Sequence, residues 1–194
     1  MVLINVSQRH LTAISETFQK RNTNASIAEA LNTLGEIKDI CERSQKKLVT
    51  YISMGFGNPY GDPYEKDLVA QFVDVLMTLG SDVISLADTI GVAKSDAIES
   101  LFTSVSAQFP TASIGAHLHS TPETSRSKIE AAWRGGCRRF DGALRGFGGC
   151  PMADDQLVGN IATETIISCL PKDTVDLDME AFSEAMAMTE RVFS

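Results

Sequence analysis

From Leu48 onward the chain alternates short β-rich runs with longer amphipathic stretches. LVTYISM (48–54) is β-branched and aromatic, which predicts a strand. The turn formers GFGNPYGDP follow, and Asp62, Pro63 and Glu65 together predict a helix start with Asp62 as the cap. Leu68, Phe72, Leu76 and Leu79 then recur at helical spacing, and Gly80 ends the segment. The alternation repeats. DVISLAD (82–88) predicts a strand, and Ser95 caps a helix carrying Ile98, Leu101, Phe102 and Val105. ASIGAHLH (112–119) predicts the next strand, with Thr121-Pro122 opening a helix through Ile129, Ala132 and Trp133. RRFDGAL (138–144) predicts another strand. A long glycine-rich loop, a helix near 160–170 and a terminal helix near 178–192 follow.

Upstream, Ser26-Ile27-Ala28-Glu29 is a capping box for a helix running to about Arg43. In the preceding LTAISETFQKRNTN, the first half predicts a strand and the polar second half a loop above it. The strands from Leu48 begin 34, 30 and 26 residues apart. Units of that size imply parallel strands with helical crossovers, in a barrel or a doubly wound sheet. No Gly-x-Gly-x-x-Gly opens the first helix, so a dinucleotide fold has no support.

Composition narrows the class. The 194 residues are 43% hydrophobic and 22% charged, enough apolar material for one sizeable core. The formal net charge of −8 argues against nucleic-acid binding, which depends on neutralising phosphates. A locally positive pocket for a small anionic substrate stays compatible with it. No apolar run reaches the roughly 18 residues of a membrane span, and MVLINVSQRH does not read as a secretory signal. Cys41, Cys137, Cys150 and Cys169 are scattered without Cys-x-x-Cys spacing. That pattern predicts reduced thiols in a cytoplasmic protein rather than a zinc site or a disulfide framework.

The sharpest local chemical signal is His117-Leu118-His119. Residues two apart on a strand face the same way, so both imidazoles would project together at the strand's C-terminal end. Such a pair reads either as metal ligands or as two unrelated polar residues on a loop. Cys150 lies in Arg145-Gly-Phe-Gly-Gly-Cys-Pro151, where glycines let a loop approach a ligand closely; an inert surface cysteine is the plainer alternative. Asn160 offers an amide at a helix start, either as a cap or as a ligand. Asp88 ends a strand and either orients a ligand from behind or caps the next turn. Arg138, Arg139 and Arg145 cluster around the last predicted strand, as an anion site or as a solvated patch.

The segments SETFQKRNTNAS (15–26), YISMGFGNPYGDP (51–63), ISLADTIGV (84–92), GAHLH (115–119), FDGALRGFGGCP (140–151) and GNIATE (159–164), in this order, resemble the hydroxymethylglutaryl-CoA lyase family. The His-x-His and Gly-Asn-x-x-x-Glu elements are shared with relatives such as isopropylmalate synthases, whereas the GFGGCP loop favours the lyase. The resemblance implies an α/β fold of the (β/α)8 TIM-barrel type, incomplete here, with about five of eight strands in a single domain over 1–194. It also implies a divalent metal, Mg²⁺ or Mn²⁺, held by His117, His119 and Asn160. Cys150 and His117 would be catalytic, and Ser15, Glu16, Asn22, Asp88 and Arg145 would line the substrate site. The family cleaves 3-hydroxy-3-methylglutaryl-CoA to acetyl-CoA and acetoacetate, a step of leucine degradation. The alternatives are a related metal-dependent barrel acting on a 2-oxo acid, and a non-catalytic remnant.

Two departures from the family pattern stand out. Ser120 occupies the place after the second histidine where the family usually has aspartate. The family's first-strand Arg-Asp motif, a metal carboxylate and a catalytic arginine, has no counterpart in these residues. The expectation is a chain impaired by itself, completed by a missing N-terminal segment or by association, including homo-oligomerisation.

Overall fold

A computed structural model describes residues 8–148 and 158–193. Five strands form one parallel sheet in chain order: β1 (Gln8–Ala13), β2 (Leu48–Ser53), β3 (Val83–Asp88), β4 (Ile114–Ser120) and β5 (Phe140–Asp141). The helices are α1 (Glu16–Thr23), α2 (Ile27–Arg43), α3 (Lys66–Thr78), α4 (Ser95–Gln108), α5 (Pro122–Arg134), α6 (Thr163–Cys169) and α7 (Met179–Val192). A two-residue strand, β6 (Gly159–Asn160), pairs antiparallel with the end of β4.

Every residue of β2 and β3 is buried, as expected for parallel strands covered on both faces. Alternation divides the side chains between those faces. Leu48, Ile52, Ile84, Leu86, Ala116 and Leu118 join the main core with Leu34 of α2, Val73 and Leu76 of α3, Phe102 of α4 and Ile129 of α5. Val49, Tyr51 and Val83 form a separate cluster on the opposite face. The two faces therefore do different work: one packs helices, the other carries the two imidazoles described below.

Sequence and structure part in several places, and Asn160, expected at a helix start, stands in β6 ahead of α6, whose N-cap is Ala162. Glu16–Thr23, expected as loop, is a helix whose N-cap Ser15 accepts from the Phe18 amide. Asp62 does not cap α3, which starts at Lys66 after Glu65. The Asp62 carboxylate instead receives Ser15 Oγ at 2.5 Å and the Thr17 amide and hydroxyl at 2.9 Å each. Those bonds hold it below the usual carboxylate range, the Ser15 hydroxyl contributing most. Ser95 is the first residue of α4 rather than its cap. The strand expected over 138–144 shrinks to Phe140–Asp141, because the chain turns into a short 3-10 segment at Leu144–Gly146. The Ser26–Glu29 capping box forms as predicted.

Helices α4 and α5 meet closely where α5 ends. A Cβ on Gly135 would lie 2.7 Å from the Glu99 carbonyl oxygen and 2.8 Å from Cβ of Phe102. Only glycine permits that approach.

Candidate functional site

His117 and His119 project from the C-terminal end of β4 on the face away from the helices. Their Nε2 atoms lie 3.4 Å apart, with the rings edge to face. The Tyr51 ring meets His117 edge-on from β2, 5.2 Å between centroids. His119 is only 4% exposed. Burial, then the neighbouring His117 and Lys128, pushes its pKa down to about 4. At neutral pH it is an uncharged imidazole, the form that donates a lone pair to a cation.

Asn160 reaches this pair through backbone pairing. β6 sets Asn160 opposite His119 and Gly159 opposite Ser120. The Asn160 Nδ2 donates to the Phe147 carbonyl at 3.0 Å, and the side chain lies against the His119 ring, where it favours the protonated form. The backbone amide of Asn160 donates to the Gly148 carbonyl. This close return needs glycine at two points. A Cβ on Gly146 (φ +69°) would sit 2.9 Å from the Asn160 carbonyl, and one on Gly148 (φ +86°) 3.2 Å from Asn160 Nδ2.

The structure thus brings His117, His119 and Asn160 together. Cys150 lies outside the described residues. Ser15 is fully buried and engaged as the α1 cap and the Asp62 donor. Glu16 accepts from the Ile27 amide and pairs with Lys20, and Asn22 is exposed on α1. The three arginines go separate ways. Arg138 stacks on Trp133, Arg139 pairs with Asp141 at 2.7 Å, and Arg145 pairs with Glu190 of α7. Arg139 and Asp141 also share the Ser85 hydroxyl on β3, joining β3 to β5.

Asp88 sits on the helix-facing side and is buried, with Lys128 Nζ at 2.7 Å and the Ala93 amide donating to it. Burial pushes its carboxyl upward, against the pull of Lys128. Lys128 also donates to the carbonyls of Gly91 and His119, each at 2.9 Å. Sequence reasoning passed over Lys128. The signal was its position on the same helical stripe as Ser125, Ile129 and Ala132, where a lysine should not be. Beside it, Thr89 accepts from the Met54 amide and joins the ends of β3 and β2.

As metal donors, the two facing imidazole nitrogens fit a cation, and the Thr89 backbone and the Asn160 side chain bear on the buried His119 ring. Among the described residues no group of three or more His, Cys, Asp or Glu is arranged to hold a metal, so the set consists of two imidazoles and an amide. Among the described cysteines, Cys137 is a poor nucleophile, since burial pushes its thiol up to about 12. No described helix is long and apolar enough to cross a membrane.

The HMGL-like family model matches residues 5–191. A hydroxymethylglutaryl-CoA lyase of Bacillus subtilis is 33% identical over 156 residues, covering 80% of this chain and 52% of that protein. The crystal structure of hydroxymethylglutaryl-CoA lyase from Pseudomonas aeruginosa aligns with a TM-score of 0.84 at 29% identity, over 96% of this chain and 62% of that one. An HMG-CoA lyase from Acinetobacter baumannii, in complex with coenzyme A and 3-methylmalate, aligns with a TM-score of 0.80 at 25% identity, over 95% and 60% of the two chains. The chain spans about half the length of the curated relatives it matches. Its parallel strands and flanking helices are those of an incomplete TIM-type barrel, and the chain belongs to the HMGL-like family.

Proposed function

We propose that this chain forms the His-x-His half of a carbon–carbon lyase that cleaves 3-hydroxy-3-methylglutaryl-CoA to acetyl-CoA and acetoacetate. The observation that carries the reading is the approach of two Nε2 atoms to 3.4 Å with Asn160 paired opposite His119. His117, His119 and the Asn160 amide oxygen would hold Mg²⁺ or Mn²⁺. When bound, the ion polarises substrate oxygens and orients them.

In the cleavage, a base takes the proton of the C3 hydroxyl, the carbon–carbon bond breaks, acetoacetate forms as the new ketone, and the acetyl-CoA enolate accepts a proton. His117, at the strand end with one ring edge against Tyr51, is the candidate base. Cys150, two residues beyond Gly148, is the candidate donor to the enolate. The acyl-CoA substrate is supported by the coenzyme A complex of the A. baumannii relative. Free Cys41, Cys137 and Cys169 support a reducing, cytoplasmic setting.

All three donors are neutral, and Mg²⁺ relies on carboxylate charge, so a carboxylate from outside the described residues is needed for tight binding. The test is acetoacetate release from 3-hydroxy-3-methylglutaryl-CoA with Mg²⁺, with and without a lyase N-terminal fragment carrying the Arg-Asp motif. Release that needs the fragment, and is lost in both His117→Ala and Cys150→Ala, supports the reading. Release undiminished in both variants, or cleavage of a 2-oxo acid substrate instead, overturns it.

A further inference from the structure

The structure assigns Lys128 the role of a positioning residue: its buried ammonium clamps the His119 carbonyl, the Gly91 carbonyl and the Asp88 carboxylate together and so fixes the aim of the His119 imidazole. This rests on reading His117 and His119 as cation ligands.

The clamp is complete in its own terms. An ammonium has three N–H donors, and each has an acceptor at 2.7 to 2.9 Å. The Lys128 side chain is 5% exposed and that of Asp88 1%, so water does not compete. A lysine this deep is rare unless paired, and a buried pair is well suited to fixing a register.

Its position explains what it does. Pairing of β3 with β4 ends at Asp88 opposite Leu118, so His119 stands one residue past that ladder. On its other side, among the described residues, its backbone pairs with the two-residue β6. Beyond the end of β3, Lys128 supplies from α5 the donor that holds the His119 carbonyl. The same ammonium grips the β3–α4 turn through Gly91, and Asp88 holds that turn again through the Ala93 amide. The backbone that carries the second imidazole is therefore aimed by a side chain that never faces the ligand side.

Two variants test this. Lys128→Met removes the clamp but leaves Asp88 buried without its cation. The double variant Lys128→Met with Asp88→Asn removes the clamp without leaving that charge, and keeps the test usable if the single variant fails to fold. Two readouts are taken on the full chain. Hydrogen exchange, without metal, should quicken about tenfold or more in peptides spanning 88–93 and 117–121, with 48–53 unchanged. The visible spectrum of added Co²⁺, which reports ligand geometry, should change or vanish in a double variant that remains folded. Local exchange at the native rate, or a native Co²⁺ spectrum in the double variant, overturns the proposal. Absence of any Co²⁺ spectrum from the native chain together with quickened exchange removes the ligand reading, and with it the functional part of the clamp, while leaving the backbone anchor established.

Discussion

Moving the protein from near pH 8 to near pH 5 exposes the cost of keeping His119 uncharged. In the unfolded chain an imidazole titrates near 6.5, whereas in the fold His119 titrates at about 4. Between those values the unfolded state binds a proton that the folded state refuses. Stability is therefore full above about pH 6.5, falls as the pH drops, and levels off below about 4. The gap corresponds to about 3 kcal/mol in total, of which about 2 kcal/mol is lost by pH 5. The groups bearing on the ring are His117 on β4, Lys128 on α5, Asn160 on β6 and the backbone of Thr89 just after β3. Asp88, paired with Lys128, works in the opposite sense, because burial raises its carboxyl and acid relieves that penalty. The measurement is thus a difference: urea unfolding by circular dichroism at both pH values, for the native chain and for His119→Gln. The variant should lose about 2 kcal/mol less between the two conditions. Equal losses would refute the argument that this buried imidazole is held neutral by its surroundings.

Three further outcomes follow from particular contacts. Gly135→Ala drives a Cβ into the Glu99 carbonyl and Phe102, and should cost about 1–3 kcal/mol in thermal or urea unfolding. Ser26→Ala removes a fully formed capping box and should cost about 1 kcal/mol, with the loss confined to α2 in hydrogen exchange. His117→Ala takes away one of two facing nitrogens and should weaken Mn²⁺ binding in calorimetry at least about tenfold, the effect that even outer contacts of a metal site produce.

The strand–helix rhythm was legible because β2, β3 and β4 are short apolar runs bounded by turn formers, and α4 and α5 carry clear apolar stripes. The shared direction of His117 and His119 followed from the period of two. Helix α1 was not legible, because ETFQKRNT buries only Phe18 and Gln19 and offers no stripe. Asp62 misled for a tertiary reason. Its local pattern suits a helix start, but Ser15 and Thr17, more than forty residues away in sequence, take the carboxylate. The return of Asn160 to His119 depends on a pairing of two residues after a glycine-rich loop, which no periodicity records. Lys128 was overlooked because a lysine on a helix is ordinarily solvated, and only the packing of α5 onto β3 and β4 makes it otherwise.

The bonds at the C-terminal strand ends form a series. Asp62 fastens the segment after β2 to α1, the Thr89 hydroxyl fastens the end of β3 to that of β2, and Lys128 fastens β4 to β3. A linkage in series flexes at its softest joint. The outer two joints each involve an ionised group with several bonds, whereas the middle one is made of neutral contacts, the Met54 amide on the Thr89 hydroxyl and the Gly55 amide on the Ala87 carbonyl. The imidazoles and α1 are thereby coupled through three successive strand ends, with the purely neutral bonds in the middle.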